Sequence, residues 1–169
     1  MGLAIPSLQA LWFLPFALPI CFWVAYSDLT RMKIPNRAVL ALAGVFLVVG
    51  LVAVPLDEYP WRLLQLGIAL GLGILFNAAG MMGAGDSKFI AAAAPFVPLA
   101  DLRFVLVVLA ASLLGAFAAH RIAKHSALRR LAPDWASWST GKKFPMGLAL
   151  AGALAIYLIL GALYGAAPA

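Results

Sequence analysis

Six apolar runs without one charged side chain, at about 8–27, 38–56, 63–85, 89–100, 104–119 and 144–169, dominate this chain. A helix needs ~20 apolar residues to cross a bilayer, with ~17 as a practical lower limit. The first three runs meet that length, the last holds a full span, and 104–119 reaches it if its flanking side chains snorkel. The fourth run, Phe89–Ala100, is short and carries Pro95 and Pro98, so it reads as either a tilted crossing or a re-entrant segment. Composition agrees: 65% of residues are hydrophobic and 11% charged, against roughly 25% charged in a soluble domain. The expected fold is all-α, a polytopic bundle of six transmembrane helices forming a single domain over residues 1–169. The first run lacks a basic segment before it and is followed at once by another span, so it reads as a retained helix.

Charge sorting sets the topology. The net charge is +6, from 12 basic and 6 acidic residues. Arg31, Lys33 and Arg37 lie in the loop 28–37, Lys88 in the turn 86–88, and Arg121, Lys124, Arg129, Arg130, Lys142 and Lys143 in the loop of about 120–143. The other side holds only Arg62 and Arg103. Cytoplasmic loops collect Lys and Arg, so these three loops are expected inside and both termini outside. A fourth run that failed to cross would throw the long basic loop outside, against this rule, so six spans are favoured. Positive charge grouped this way reflects topology rather than nucleic-acid binding, and the lipid bilayer is the expected surrounding.

Only six acids remain to place: Asp28, Asp57, Glu58, Asp86, Asp101 and Asp134. Asp28 closes the first span and Asp86 opens the fourth, both on the cytoplasmic side. Asp57, Glu58 and Asp101 fall on the opposite side, and Asp134 lies within the basic loop. A carboxylate near the membrane is costly and is usually kept for function. Asp86 follows Gly83-Ala84-Gly85, where the missing side chains leave room for another backbone, as an extended substrate strand requires. The ordinary reading of such a Gly-x-Gly alone is a helix-capping turn or close helix packing.

Two carboxylates held together share a proton, because both cannot ionise cheaply. The charged one takes a proton from water and the protonated one polarises a peptide carbonyl. This is aspartic-protease chemistry, and it requires neither cofactor nor metal. Helix-end electrostatics disfavour the anion at the C-terminal end, where Asp28 lies, and favour it at the N-terminal end, where Asp86 lies, so Asp28 is expected to hold the shared proton.

Ser27-Asp28-Leu29-Thr30-Arg31-Met32-Lys33-Ile34-Pro35-Asn36 resembles the first aspartate motif of the type IV prepilin peptidases. Gly83-Ala84-Gly85-Asp86-Ser87-Lys88 resembles their Gly-x-Gly-Asp motif with its trailing lysine. The resemblance implies that Asp28 and Asp86 are the catalytic pair. It also implies that the partners are basic leader peptides of pilin-like subunits, cut at the cytoplasmic membrane surface. Bifunctional members of that family carry an inserted domain with paired Cys-x-x-Cys motifs and methylate the new N-terminus. This chain has one cysteine, Cys21, and no such insertion, so N-methylation is not expected. Its short form is more like the minimal peptidases of tight-adherence (Flp-type) pili or the archaeal preflagellin peptidases. Lys143-Phe144-Pro145-Met146-Gly147 is similar to a family Pro-x-Gly segment, but the helix-start reading of Pro145 is preferred and no role is assigned to it.

The other polar residues have ordinary readings. Pro35 disfavours helix at Ile34, so Ile34-Pro35-Asn36 is an extended turn, with Asn36 as cap of the second span or as support for the aspartate loop. Lys88 either snorkels, tunes the pair or holds a substrate carboxylate. His120 and His125 stand ~140° apart on a helix, do not converge on a metal, and read as interfacial. Asn77 and Gln65 are expected to bond neighbouring helices. Trp135 and Trp138 suit a membrane interface, on a basic loop that anionic lipid would attract. Cys21 reads as a small core hydrophobe. The competing class is a proton- or ion-coupled transporter with Asp28 and Asp86 as relays. That reading calls for acids deeper in the spans and for internal repeats, and neither is evident.

Overall fold

The computed structural model describes residues 2–140 and 144–167; Lys142 and Lys143 of the basic loop lie outside this range. The elements run β1 (Leu3–Pro6), α1 (Ser7–Arg31), α2 (Asn36–Ala53), α3 (Tyr59–Ala78), α4 (Ala84–Ala93), α5 (Leu102–Lys124), α6 (Met146–Tyr164) and β2 (Gly165–Ala166). Five helices are long and apolar enough to cross a membrane: α1, α2, α3, α5 with the turn before it, and α6. The chain is therefore a multi-pass membrane protein.

The fourth apolar run departs from the even six-helix expectation. It forms the ten-residue α4, then two 3-10 turns at Ala94–Phe96 and Leu99–Asp101. Pro95 and Pro98 lack the N–H that continues a helix, so the segment breaks where they stand. It still runs from one end of α1 to the other. Asp86 sits beside Asp28, near the C-terminal end of α1, while Asp101 accepts hydrogen bonds from the Ala4 and Ile5 amides just before its start. The 25 residues of α1 rise ~37 Å, so the broken segment crosses as much of the bundle as a full span.

Burial follows from this path. Phe89, Ala91, Ala92 and Phe96 in the fourth segment are almost wholly buried. Phe96 meets Phe13 of α1 and Phe46 of α2 edge to face, at centroid distances of 4.8 and 5.4 Å. Helix α1 packs on α2 and α6, α4 packs on α2, α3 and α6, and α5 leans on α6. Tyr157, Leu158 and Leu154 carry the buried stripe of α6. By contrast, α3 and α5 leave most of their apolar side chains, such as Ile68, Leu75, Val107 and Leu114, on the outside. That is where a lipid-facing helix keeps them.

At the end away from Asp28, β1 and β2 form a short parallel pair. Asp101 is buried there and accepts from Ala4 N at 2.8 Å, Ile5 N at 2.9 Å and Tyr157 Oη at 2.8 Å. Sequence reasoning left Asp101 as an acid on the outer side; the structure makes it the clasp joining β1, α6 and the fourth segment. Cys21 is buried and free, as a core hydrophobe should be.

Candidate active site

The last turn of α1 delivers Asp28. The helix then stops at Met32, which takes a left-handed conformation (φ 54°) while its N–H still reaches the Asp28 carbonyl at 2.9 Å. A left-handed non-glycine residue is uncommon and bends the chain sharply. The reversal is held by Ser27 Oγ, which donates to the Lys33 carbonyl at 3.0 Å. Ile34 lies outside any helix ahead of Pro35, in keeping with the proline's bias against helix there, and α2 starts at Asn36.

Asp86 arrives from the first turn of α4, after Gly83 at the N-cap position. The two aspartates line one pocket of about 540 Å³ together with Met32, Lys33, Ile34, Gly83, Gly85, Phe144 and Met146. Asp28 and Asp86, 58 positions apart in sequence, thus meet as the charge sorting expected. Burial pushes the Asp86 carboxyl up to about 6, with the Asp28 charge adding to the rise and a hydrogen bond from the Gly83 amide opposing it.

The two glycines pack closely against neighbouring side chains. A Cβ on Gly83 would lie 2.7 Å from Asp86 Oδ2, and one on Gly85 would lie 3.3 Å from the Cβ of Ile34. Both glycines line the pocket, and the place a side chain would take at each is already occupied by the protein's own Asp86 and Ile34. Gly83 also fits the helix-start reading.

Gly147 is the residue sequence reasoning missed. Its N–H, in the first turn of α6, donates to Asp28 Oδ2 at 2.6 Å. A Cβ there would stand 2.9 Å from that same oxygen, so only glycine brings its amide this close. Pro145 does precede the helix start, as read from the sequence, yet the same segment supplies part of the site. The signal was the Pro-Met-Gly that follows the basic loop. Asp28 lies at the C-terminal end of α1 but points its carboxylate at the N-terminal end of α6, and a donated N–H favours the charged form.

Asn36 and Lys88 contact each other instead of the carboxylates: Lys88 Nζ donates to Asn36 Oδ1 at 3.2 Å. Asn36 is the first residue of α2 and makes no capping bond; Pro35 holds the cap position. Among the described residues the one ion pair is Arg62–Glu58 at 3.2 Å, so Lys88 makes none with Asp28 or Asp86.

The remaining polar residues lie outside the pocket. Asn77 donates to the Met82 carbonyl at 2.9 Å in the loop before α4, not to a neighbouring helix. Gln65 Oε1 is buried without a partner among the described residues. His120, expected at the interface, is buried and stacks on Trp138 at 4.9 Å. Trp138 stacks in turn on Trp135 at 5.5 Å, so the described part of the basic loop folds back onto α1 and α5. Among the described residues no three His, Cys, Asp or Glu side chains form a group that could hold a metal.

Neither the curated proteins nor the solved structures gave a match to this chain. The type IV leader peptidase family matches it over residues 15–120, a stretch that contains both aspartates and both glycine motif positions. That match covers more than half of the sequence, and on it the chain belongs to the type IV leader peptidase family.

Proposed function

We propose that this protein is an aspartic endopeptidase that removes the basic leader peptide from Flp-type prepilins at the cytoplasmic face of the inner membrane. The observation that carries the reading is the meeting of Asp28 and Asp86 in one pocket at the ends of α1 and α4. Family membership supports leader peptides as the substrate class. The loops that bring the two aspartates carry four of the chain's 12 basic residues, and the loop leading into α6 carries six more, which supports a cytoplasmic site.

In this reading Asp86 is the protonated partner and Asp28 the carboxylate. Asp86 donates its proton toward the carbonyl oxygen of the scissile peptide. Asp28, oriented by the Gly147 amide, takes a proton from the attacking water as its oxygen bonds to the carbonyl carbon. The tetrahedral diol then collapses: the C–N bond breaks, Asp28 passes its proton to the leaving nitrogen, and Asp86 recovers its own. Met32, Ile34, Phe144 and Met146 give the pocket apolar walls beside the pair, and hydrogen bonds to developing charge count for more beside apolar surface than in open water.

Co-expression with an Flp-type prepilin tests this directly. Asp28→Asn and Asp86→Asn are each expected to abolish leader removal while the protein still accumulates in the membrane. Full processing by either variant refutes the pair.

A further inference from the structure

We infer that Ile34 is the positioning residue of the carboxylate pair, a wedge between the first turns of α4 and α6 that sets the spacing of Asp86 and Asp28. The inference rests on the dyad reading above and adds a residue of the pocket wall that takes no part in the proton transfers. Each carboxylate is fixed to one of those two helix starts: Asp86 belongs to α4, and Asp28 is bonded to the Gly147 amide of α6.

Ile34 lies against both. A Cβ on Gly147 would meet Ile34 Cδ1 and Cγ1 at 3.0 Å, and a Cβ on Gly85 would meet Ile34 Cβ at 3.3 Å and Cγ1 at 3.7 Å. One aliphatic side chain therefore fills the space that two glycines leave, with backbone on either side. The wedge is itself anchored. Ser27 Oγ holds the Lys33 carbonyl just before it, Pro35 fixes the chain just after it, and Asn36 is tied to Lys88 of α4. An isoleucine suits this place because branching at Cβ leaves χ1 stiff, so its width is defined.

Tight interaction between two carboxylates separates their two apparent pKa values, and loosening the pair draws them together. Ile34→Ala is therefore expected to cut kcat by roughly 10- to 100-fold, the effect of misplacing catalytic groups by about 1 Å. KM changes less, and the bell-shaped pH profile of cleavage narrows. Ile34→Val keeps the branch and is expected to retain the wild-type profile with most of the rate. A residue needed only for folding would lower the amount of enzyme and leave the pH profile unmoved.

The measurement is prepilin cleavage in membranes across pH, normalised to inserted enzyme, with Asp28→Asn and Asp86→Asn run in parallel. Cleavage by an Asn variant brings down the dyad reading itself. Inactive Asn variants beside an Ile34→Ala enzyme of unchanged profile overturn the wedge alone, as does an Ile34→Val enzyme as impaired as Ile34→Ala. Should Ile34→Ala fail to accumulate, Ile34→Leu decides. It keeps the apolar volume but moves the branch off Cβ, so a lower kcat with a narrowed pH profile is expected, and a wild-type rate and profile overturn the wedge.

Discussion

Asp86 carries a measurable consequence for stability. Burial pushes its carboxyl up to about 6 in the fold, well above the ~3.9 of an unfolded aspartate. Between those values the folded protein holds a proton that the unfolded chain has released. Stability is therefore greatest below this window and falls as pH rises through it. The thermal unfolding midpoint of the purified protein in detergent is expected to drop between pH 4.5 and pH 7, as rough bounds of that window, and Asp86→Asn should flatten the drop. An equal drop in the Asn variant would assign the dependence to another group. That Asp28 and Asp86 face each other was legible in the sequence, because six acids on a membrane chain leave few pairings. Gly147 and Ile34 were not. The bond from Gly147 to Asp28 joins residues 119 positions apart, and a wedge against backbone leaves no signature in residue type.

The long apolar runs announced α1, α2, α3, α5 and α6, since length and hydropathy alone identify a span. The fourth element resisted because two prolines break it, and only tertiary contacts show that it continues across. Those contacts depend on Asp101. Replacing it with alanine leaves the buried Ile5 N–H and Tyr157 hydroxyl, and the part-buried Ala4 N–H, without an acceptor, at about 1–3 kcal/mol for each buried unsatisfied group. Asp101→Ala is expected to lower the unfolding midpoint sharply, whereas the cleavage rate of the protein that remains folded stays near wild type, because the clasp lies across the bundle from the pocket. A selective loss of kcat with unchanged stability would contradict that division. Asp101 escaped sequence reasoning because an acid after a proline turn looks like any loop residue until its partners arrive from the far ends of the chain.

At the scale of the whole molecule, the basic loop joining α5 to α6 and the two aspartates share one end of the bundle. Positive-inside sorting expects that end to face the cytoplasm. Ser126→Cys, in the loop after α5, should stay shielded from a membrane-impermeant thiol reagent in intact cells, while Leu56→Cys, between α2 and α3, should be labelled. The native Cys21 is 3% exposed and adds little background. The reverse labelling pattern would turn the pocket outward and remove leader peptides held in the cytoplasm as substrates.

The parallel pairing of β1 with β2 has a practical corollary. Leu3 pairs with Gly165 and Pro6 with Ala166, so these two segments lie together at the end of the bundle away from the two carboxylates. A fluorescent or affinity tag fused next to either strand would stand at the end of the bundle away from the pocket. Such a fusion can report on the protein's surroundings without crowding the peptide being cut.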